Sequence, residues 1–422
     1  MESFAIITLQ GAWLGFTGPA ATSLQGERMR ELYLSNALII HGGAPTAVIN
    51  ASLYGVVEEA KQHSQIHKVY AALGGSSGVL NRRFLDMKTV AQSKLDLLPF
   101  TPASAIGTSR DHLRPEDYAH MAQVIKENNI RYIFFNGGNG SMDTCGKVYQ
   151  ACRDIQNDVQ VIGVPKTIDN DIAVTDHAPG FGSAARYIAA TVSEVCQDVR
   201  ALPIHVCILE TMGRNAGWIT AASALARDVG VGPDFIYLPE VPFEEERFLA
   251  DVEKRHKDQK GIVVVVGEGL KNKEGSPIVP PIFKMDRAVY YGDVSSHLAS
   301  LVIQKLGIKA RGEKPGLCGR ASISFQSDTD REEAILAGRT AVKAAIQGHS
   351  GVMVGFDRRQ PGEPYAAKPI LIPIQQVMLD ERLVPREYIN SAGNHVTEAF
   401  CDWCRPLIGG PLRRFASFHP GE

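Results

Sequence analysis

The segment from Pro165 to Asp171 carries, on one short turn, the side chains that transfer of a phosphoryl group requires. Asp169 could accept the proton of an attacking alcohol, and Asp171 could help to hold Mg²⁺. Lys166 could neutralise charge on the phosphate that moves. The same residues also suit a polar turn in which both aspartates cap a helix, so the interpretation depends on the rest of the chain.

Length and charge narrow the class of protein. The chain has 422 residues, of which 44% are hydrophobic, and this exceeds what one core usually organises. We therefore expect two domains. The formal net charge is −2, with acidic and basic residues spread along the sequence. No block of lysines and arginines resembles a surface for nucleic acid or for an anionic membrane, so neither partner is expected.

Cysteine usage and the N-terminus predict a cytoplasmic protein. The seven cysteines are scattered and odd in number, which favours a reducing compartment over a disulfide framework. Cys401 and Cys404 have C-x-x-C spacing without a second pair to complete a zinc site, so we interpret them as structural. Residues 1–34 lack the basic start of a signal peptide and are interpreted as an N-terminal extension. No later segment is long and apolar enough for a membrane span.

An apolar run precedes the polar turn 165–171, and similar runs precede two other loops. These runs are predicted strands that would hold the side chains of the loops in place. The predicted strands are 37–40, 130–135 and 159–164, with helices predicted at 48–60 and from about Met142 onward. This alternation predicts an α/β fold with parallel sheets flanked by helices. Ligands bind at the C-terminal edge of such sheets, so we expect the three loops to form a site.

The second half of the chain repeats the pattern with different motifs. The predicted strands are 205–209 and 261–266, and the predicted helices are 184–195 and 218–227. The first of these strands leads to Met212-Gly213-Arg214, and the second leads to Glu268 between two glycines. This repetition predicts a second α/β domain.

The glycine-rich loop 137–141 lies between a predicted strand and a predicted helix. Its backbone N–H groups and the positive end of the helix could face an anion, although a tight turn that needs positive φ has the same composition. Arg110 could bridge phosphate oxygens, but an isolated arginine is often a solvated surface group. The same alternative applies to Arg311 and Arg320.

The order of these motifs resembles the phosphofructokinase family. Gly-Gly-Asn-Gly-Ser at 137–141 is followed by Pro-Lys-Thr-Ile-Asp-Asn-Asp at 165–171 and by Met-Gly-Arg at 212–214. Segments 176–187 and 384–390 are similar to stretches of the short family members that use inorganic diphosphate. The resemblance implies two Rossmann-like domains with parallel sheets flanked by helices, and an active site in the cleft between them.

The resemblance also implies a division of the chain and a reaction. Residues 35–178, completed by 320–422, would bind the phosphoryl donor, and residues 179–319 would bind the sugar phosphate. The implied reaction is Mg²⁺-dependent phosphoryl transfer from diphosphate or ATP to the 1-hydroxyl of fructose 6-phosphate, a step of glycolysis. A homodimer or homotetramer is the implied assembly.

Family roles carry over onto individual residues. Asp169 matches the proton acceptor for the 1-hydroxyl, and Arg311 and Arg320 match two cations that clamp the 6-phosphate. The implied catalytic residues are Asp169, Lys166, Asp171 and Arg214. The implied donor-binding residues are Gly43, Ala44, Arg110, Gly140 and Ser141, and the implied metal ligand is Asn139. The implied residues for the sugar phosphate are Thr167, Ile168, Asp169, Met212, Gly213, Arg214, Glu268, Arg311 and Arg320.

Two residues give opposite indications about the donor. Relatives that use diphosphate usually carry Asp where this chain has Gly140, and the missing carboxylate leaves room for a nucleotide. Lys166, in contrast, is typical of the diphosphate users, where many ATP users have glycine. The resemblance over the whole chain then slightly favours diphosphate over ATP.

Four departures from the family pattern keep other functions open. Ala44 stands where relatives usually have Gly, Asn139 where many have Asp, His205 where many have Arg, and Leu317 where many have His. A catalytically weakened homologue that binds sugar phosphate is one alternative. A kinase that acts on NAD or lipid shares the glycine-rich loop, but the Met-Gly-Arg motif and the paired arginines argue against it.

Overall fold

The computed structural model describes residues 34–285, 288–358, 364–378, 381–416 and 418. The strands are β1 Ser35–His41, β2 Ile66–Ala72, β3 Phe84–Asp86, β4 Ile130–Gly137, β5 Gln160–Pro165, β6 Val206–Thr211, β7 Phe235–Tyr237, β8 Ile262–Gly267, β9 Pro281–Met285, β10 Ala288–Tyr291, β11 Ala310–Glu313, β12 Val352–Arg358 and β13 Ala367–Pro373. The helices are α1 Ile49–Lys61, α2 Gly75–Leu80, α3 Gln92–Leu95, α4 Pro115–Glu127, α5 Asn139–Asp154, α6 Phe181–Ala201, α7 Trp218–Ala222, α8 Glu245–Asp258, α9 Val294–Leu306, α10 Cys318–Ala321, α11 Asp328–Ile346 and α12 Glu398–Cys404. The predicted extension 1–34 lies outside the described residues except for Leu34.

The larger sheet has seven strands in the order β13-β12-β5-β4-β1-β2-β3. Its five central strands are parallel, and only the two edge strands run antiparallel to their neighbours. Helices cover both faces, α1 and α11 on one and α4 and α5 on the other. This double cover explains why a central strand such as β4 is apolar along most of its length.

The smaller sheet has four parallel strands in the order β11-β6-β8-β7. All six residues of β8 are buried, as its sequence Ile-Val-Val-Val-Val-Gly requires for a strand covered on both faces. Helices α6 and α7 pack on one face, and α8 and α9 pack on the other. The molecule therefore has the predicted α/β architecture with two sheets.

Most predicted elements are present, with shifted ends. Helix α5 begins at Asn139, three residues before Met142, because its N-cap is Gly138. Helix α6 is longer than the predicted 184–195, and the predicted helix 218–227 divides into α7 and the 3₁₀ helix Ser223–Val229. The turn after β5 does not cap a helix, since the next helix begins at Phe181.

The C-terminal segment packs differently from the expected division of the chain. Strands β12 and β13 and helix α11 complete the larger sheet, as expected for part of 320–422. Residues 384–412, however, share a core with α6, α7 and the smaller sheet, where Trp403 lies 4.8 Å from Trp218 between ring centroids. Cys401 and Cys404 are buried free thiols within this core. Among the described residues, no helix is both long enough and apolar enough to span a membrane.

Candidate active site

Three loops meet at the C-terminal ends of the neighbouring strands β1, β4 and β5. Parallel pairing aligns His41 with Asn136 and Gly137 with Pro165, so the following residues leave the same edge of the sheet. The loops line a cleft of about 460 Å³. The predicted site residues in its wall are Gly43, Ala44, Arg110, Asn139, Gly140, Ser141, Lys166, Thr167, Ile168, Asp169 and Asp171.

Lys166 connects the turn after β5 to the loop after β1 by hydrogen bonds. Its Nζ donates hydrogen bonds to the carbonyl oxygens of Gly42 at 3.0 Å and Ala44 at 2.6 Å. The residue is only 3% exposed, and this burial, reinforced by Arg110, lowers its pKa to about 8. The ammonium group is therefore a fixed charge in the wall of the cleft that titrates near physiological pH.

Asp169 is a carboxylic acid whose pKa lies near neutrality. Burial is the main cause of the rise to about 7, and the neighbouring carboxylates of Asp171 and Glu268 act in the same direction. Lys166 and Arg110 oppose the rise. Such a group can accept a proton at pH 7 far better than an ordinary surface aspartate.

Asp171 is held by two hydrogen bonds in a fixed orientation. Thr167 Oγ1 donates to its Oδ1 at 3.0 Å, and Asn139 Nδ2 donates to its Oδ2 at 3.1 Å. Burial raises the pKa of Asp171, while the bond from Thr167 lowers it. Between the two aspartates, Asn170 has a φ of 53°, a left-handed conformation that asparagine tolerates.

Glycines let the loops after β1 and β4 approach closely around Ser141. A Cβ atom built on Gly42 would lie 2.3 Å from Ser141 Oγ, and one on Gly137 would lie 2.1 Å from it. A Cβ on Gly140, in contrast, has no atom within 4 Å. Ser141 is therefore faced by two positions that demand glycine, Gly42 and Gly137, whereas Gly140 leaves open space in the cleft.

Two arginines beside the cleft have side chains that make no hydrogen bond or ion pair with any residue that the structure describes. Arg110 lies in the cleft wall. Arg320 is partly buried, and its pKa is lowered by burial and by Arg110 and raised by Asp169, which locates it near both. Cations without a carboxylate partner are available for an anionic ligand.

The loops after β6 and β8 face the turn from the smaller sheet. Met212 and Ile168 line one small apolar pocket. Gly213 has a φ of 115°, which favours glycine at this position. Burial raises the pKa of Glu268, Lys314 and Arg214 lower it, and its charge in turn raises the pKa of Asp169. The Met-Gly-Arg loop and Glu268 thus lie close to Ile168 and Asp169.

The structure does not bring Arg311 into this cleft. It lies on the edge strand β11, is 62% exposed, pairs with Glu313 and lines a separate surface depression together with His205. The clamp of Arg311 and Arg320 that the family resemblance implies is therefore not formed within the described part of one chain. Their separate positions follow from the strand and the short helix α10 that carry them.

Sequence reasoning missed one acidic residue of the cleft wall. Glu381 lies beside Asp171, whose pKa it raises, and it accepts a hydrogen bond from Asn215 Nδ2 at 2.9 Å. Glu381 is far from the turn in the sequence, and no local pattern indicated that the two would be close in space. Only the packing of the C-terminal segment brings it there.

Comparison with known proteins decides the family. Residues 36–345 match the family described as "Phosphofructokinase". The chain belongs to the phosphofructokinase family. The pyrophosphate–fructose 6-phosphate 1-phosphotransferase of Rhodospirillum rubrum is 35% identical over 388 residues, which cover 90% of this chain and 95% of that protein. A sulfofructose kinase of Alkalicoccus urumqiensis is 32% identical over 381 residues, 87% of this chain and 94% of the relative.

Solved structures of the phosphofructokinase family share the fold. The crystal structure of the pyrophosphate-dependent phosphofructokinase from Nitrosospira multiformis has a TM-score of 0.82 and 35% identity, and the match covers 92% of this chain and 95% of that one. The predicted family, two-domain fold and phosphotransferase class are confirmed.

Proposed function

We propose that this chain is a 6-phosphofructokinase that transfers a phosphoryl group from diphosphate to the 1-hydroxyl of fructose 6-phosphate. The observation that carries the proposal is that Asp169, whose pKa is raised to about 7, and the buried Lys166 line the same cleft. The products would be fructose 1,6-bisphosphate and phosphate. The names of the relatives support this choice of substrates.

The reaction follows from the arrangement of charges. Asp169 accepts the proton of the 1-hydroxyl as its oxygen forms a bond to phosphorus, and the bond from phosphorus to the bridging oxygen breaks. Lys166, Arg110 and Arg214 neutralise charge on the phosphoryl group and on the leaving phosphate. A pair of opposite charges about 4 Å apart gains about 4 kcal/mol in a partly desolvated site, so these cations can supply much of the rate enhancement.

We propose that Asn139 and Asp171 hold Mg²⁺ with phosphate oxygens of the donor. Asn139 Oδ1 is buried and has no hydrogen-bond partner among the described residues, while its Nδ2 donates to Asp171. Oxygen ligands of this kind suit Mg²⁺. The described residues contain no group of three or more His, Cys, Asp or Glu suited to a metal, so the donor and water would supply the other ligands. The bound ion would offset the negative charge of the donor.

Diphosphate is the proposed donor because Lys166 is held against the loop after β1, which we propose to bind the donor. The ammonium group bonds to carbonyl oxygens of the loop after β1, where it can contact a small polyphosphate. The space at Gly140 still admits a nucleotide, so ATP remains the alternative donor. Measured kcat/KM with each donor, with fructose 6-phosphate and Mg²⁺ present, distinguishes the two.

A substitution at Gly140 tests the donor assignment. Gly140→Asp should remove activity with ATP selectively and preserve activity with diphosphate, because the open space accepts the side chain without distorting the fold. Gly140→Asn is the matched control, since it adds the same bulk without charge. Unchanged turnover of ATP in Gly140→Asp would contradict the steric role of this position.

We propose that the larger sheet binds the donor and the smaller sheet binds the sugar phosphate, with residues 384–412 assigned to the second unit by their packing. A homodimer or homotetramer and a cytoplasmic location remain predictions from the sequence. Identification of the product by mass spectrometry tests the reaction, and it also detects phosphorylated NAD or lipid. Absence of turnover with both donors would favour the catalytically weakened homologue.

A second candidate acceptor is a fructose derivative with a sulfonate at carbon 6. The match to a sulfofructose kinase over most of both chains favours testing it. Both acceptors carry an anion at carbon 6, which Arg320 could bind. We expect kcat/KM to be higher for fructose 6-phosphate than for 6-deoxy-6-sulfofructose, and the reverse order would replace the proposed substrate.

A further inference from the structure

Residues 381–384, here called the strap, contact both sides of the cleft. On the side of the larger sheet, the Arg382 backbone N–H donates to the carbonyl oxygen of Asp171 at 2.8 Å. Ile172 and Glu381 form an isolated antiparallel bridge at the same place. The strap therefore contacts the backbone two and three residues after Asp169.

The other side of the strap contacts the loop that contains Arg214. Trp218 Nε1 donates to the Arg382 carbonyl oxygen at 3.0 Å, and Asn215 Nδ2 donates to Glu381 Oε2 at 2.9 Å. Both donors lie within four residues of Arg214 in the sequence. One short segment thus forms hydrogen bonds to the aspartate turn and to the arginine loop.

The Arg382 side chain forms a third link between the two sides. Its guanidinium carbon lies 4.3 Å from the centroid of the Trp218 ring and 5.7 Å from that of Trp403. The guanidinium also donates to the carbonyl oxygen of Asp176, in the loop that continues from Asp171. No ion pair holds Arg382 among the described residues, so ring faces and a carbonyl group fix this cation.

We propose that Arg382 is a positioning residue that sets the separation between the Asp169–Asp171 turn and the Arg214 loop. The turn follows a strand of the larger sheet and the loop follows a strand of the smaller sheet, so neither sheet alone fixes their distance. This role rests on the phosphoryl transfer proposed above, in which both groups act on one phosphate. A misplacement of about 1 Å in such a site costs about 100-fold in rate.

Two substitutions of Arg382 test the role in catalysis. Arg382→Met keeps an apolar chain against the rings and removes the guanidinium, and Arg382→Lys keeps a charge without the planar stack. We expect kcat of Arg382→Met to fall by about 10- to 100-fold with both KM values within about threefold, and Arg382→Lys to recover part of the loss. An increase in one KM with unchanged kcat would overturn the proposal, because it would assign Arg382 to substrate binding.

Arg358 provides a matched control. It pairs with Asp176 Oδ2 at 3.0 Å and lies over the Trp403 ring at 5.2 Å, but it makes no hydrogen bond, ion pair or ring contact with the described residues of the loop around Arg214. Arg358→Met should lower the thermal stability as much as Arg382→Met, with kcat of the folded protein within about threefold of the wild type. Equal losses of kcat in both variants would overturn the proposal and assign the effect to the Asp176 cluster.

Hydrogen exchange followed by mass spectrometry tests the link without turnover. Arg382→Met should increase exchange in both 171–176 and 212–220, whereas Arg358→Met should affect only the first segment. Faster exchange in one segment alone for Arg382→Met would show that the strap does not join the two. Wild-type protein that fails to phosphorylate fructose 6-phosphate would contradict the proposed function, while the exchange result would still decide the strap.

Discussion

Two ionisable groups at the site predict a narrow pH optimum for phosphoryl transfer. Burial raises the pKa of Asp169 to about 7 and lowers that of Lys166 to about 8. Asp169 must be deprotonated to accept a proton, so the rate falls as the pH decreases through about 7. Lys166 must be protonated to neutralise phosphate, so the rate falls as the pH rises through about 8.

The size of the effect follows from the two pKa values. The fraction of enzyme with Asp169 ionised and Lys166 protonated is largest at about pH 7.5, where it is about 0.6. It decreases to about 0.09 at about pH 6 and again at about pH 9. Because kcat/KM reports the free enzyme, it should be about sixfold below its maximum at both values.

The assay is kcat/KM for diphosphate and fructose 6-phosphate across this range at constant ionic strength. Lys166→Arg keeps its proton throughout, so the alkaline limb should disappear. Glu268→Gln removes a charge that raises the pKa of Asp169, so the acid limb should move to lower pH. A limb of the pH profile that stays at the same pH in every variant reflects the ionisation of a substrate. An alkaline limb that remains near pH 8 in Lys166→Arg, or an acid limb that Glu268→Gln leaves unmoved, refutes the corresponding assignment.

Two further substitutions have effects on stability as well. Asp169→Asn should lower kcat by about 100- to 10,000-fold. The pKa of Asp169 is higher in the folded than in the unfolded protein, so the wild type loses stability as the pH rises from about 4 to about 7, by at most about 4 kcal/mol in total. Urea unfolding should therefore show Asp169→Asn stabilised at pH 8 and little changed below pH 4. Val174 has a φ of 69° and is 57% exposed, so Val174→Asn should stabilise the fold by about 0.5–1 kcal/mol, and Val174→Ala, which loses the β-branch but keeps a Cβ atom without a polar side chain, should stabilise it less.

The sequence predicted the donor side of the site because that part depends on local patterns. Strands β1, β4 and β5 are short apolar runs that end at glycine-bearing or acidic loops, and parallel pairing brings these ends together. The placement of Lys166, Asp169 and Asp171 in one cleft follows from that topology.

The rest could not be predicted from local patterns. Glu381 and Arg382 reach the turn because aromatic packing around Trp218 and Trp403 fixes the C-terminal segment. Arg311 and Arg320 are nine residues apart, but they sit on an edge strand and a short helix whose directions the spacing does not reveal. Contacts between distant segments set these positions.

The crowding around Ser141 predicts how the donor site tolerates mutation. Positions 42 and 137 each oppose Ser141 so closely that even a methyl group would displace it, whereas Gly140 can carry a larger side chain at no cost in packing. In a saturation library, enrichment for folded protein should therefore retain glycine at the first two positions and accept many residues at the third. A preference for one phosphoryl donor could then evolve through single substitutions that leave the foldable sequence intact.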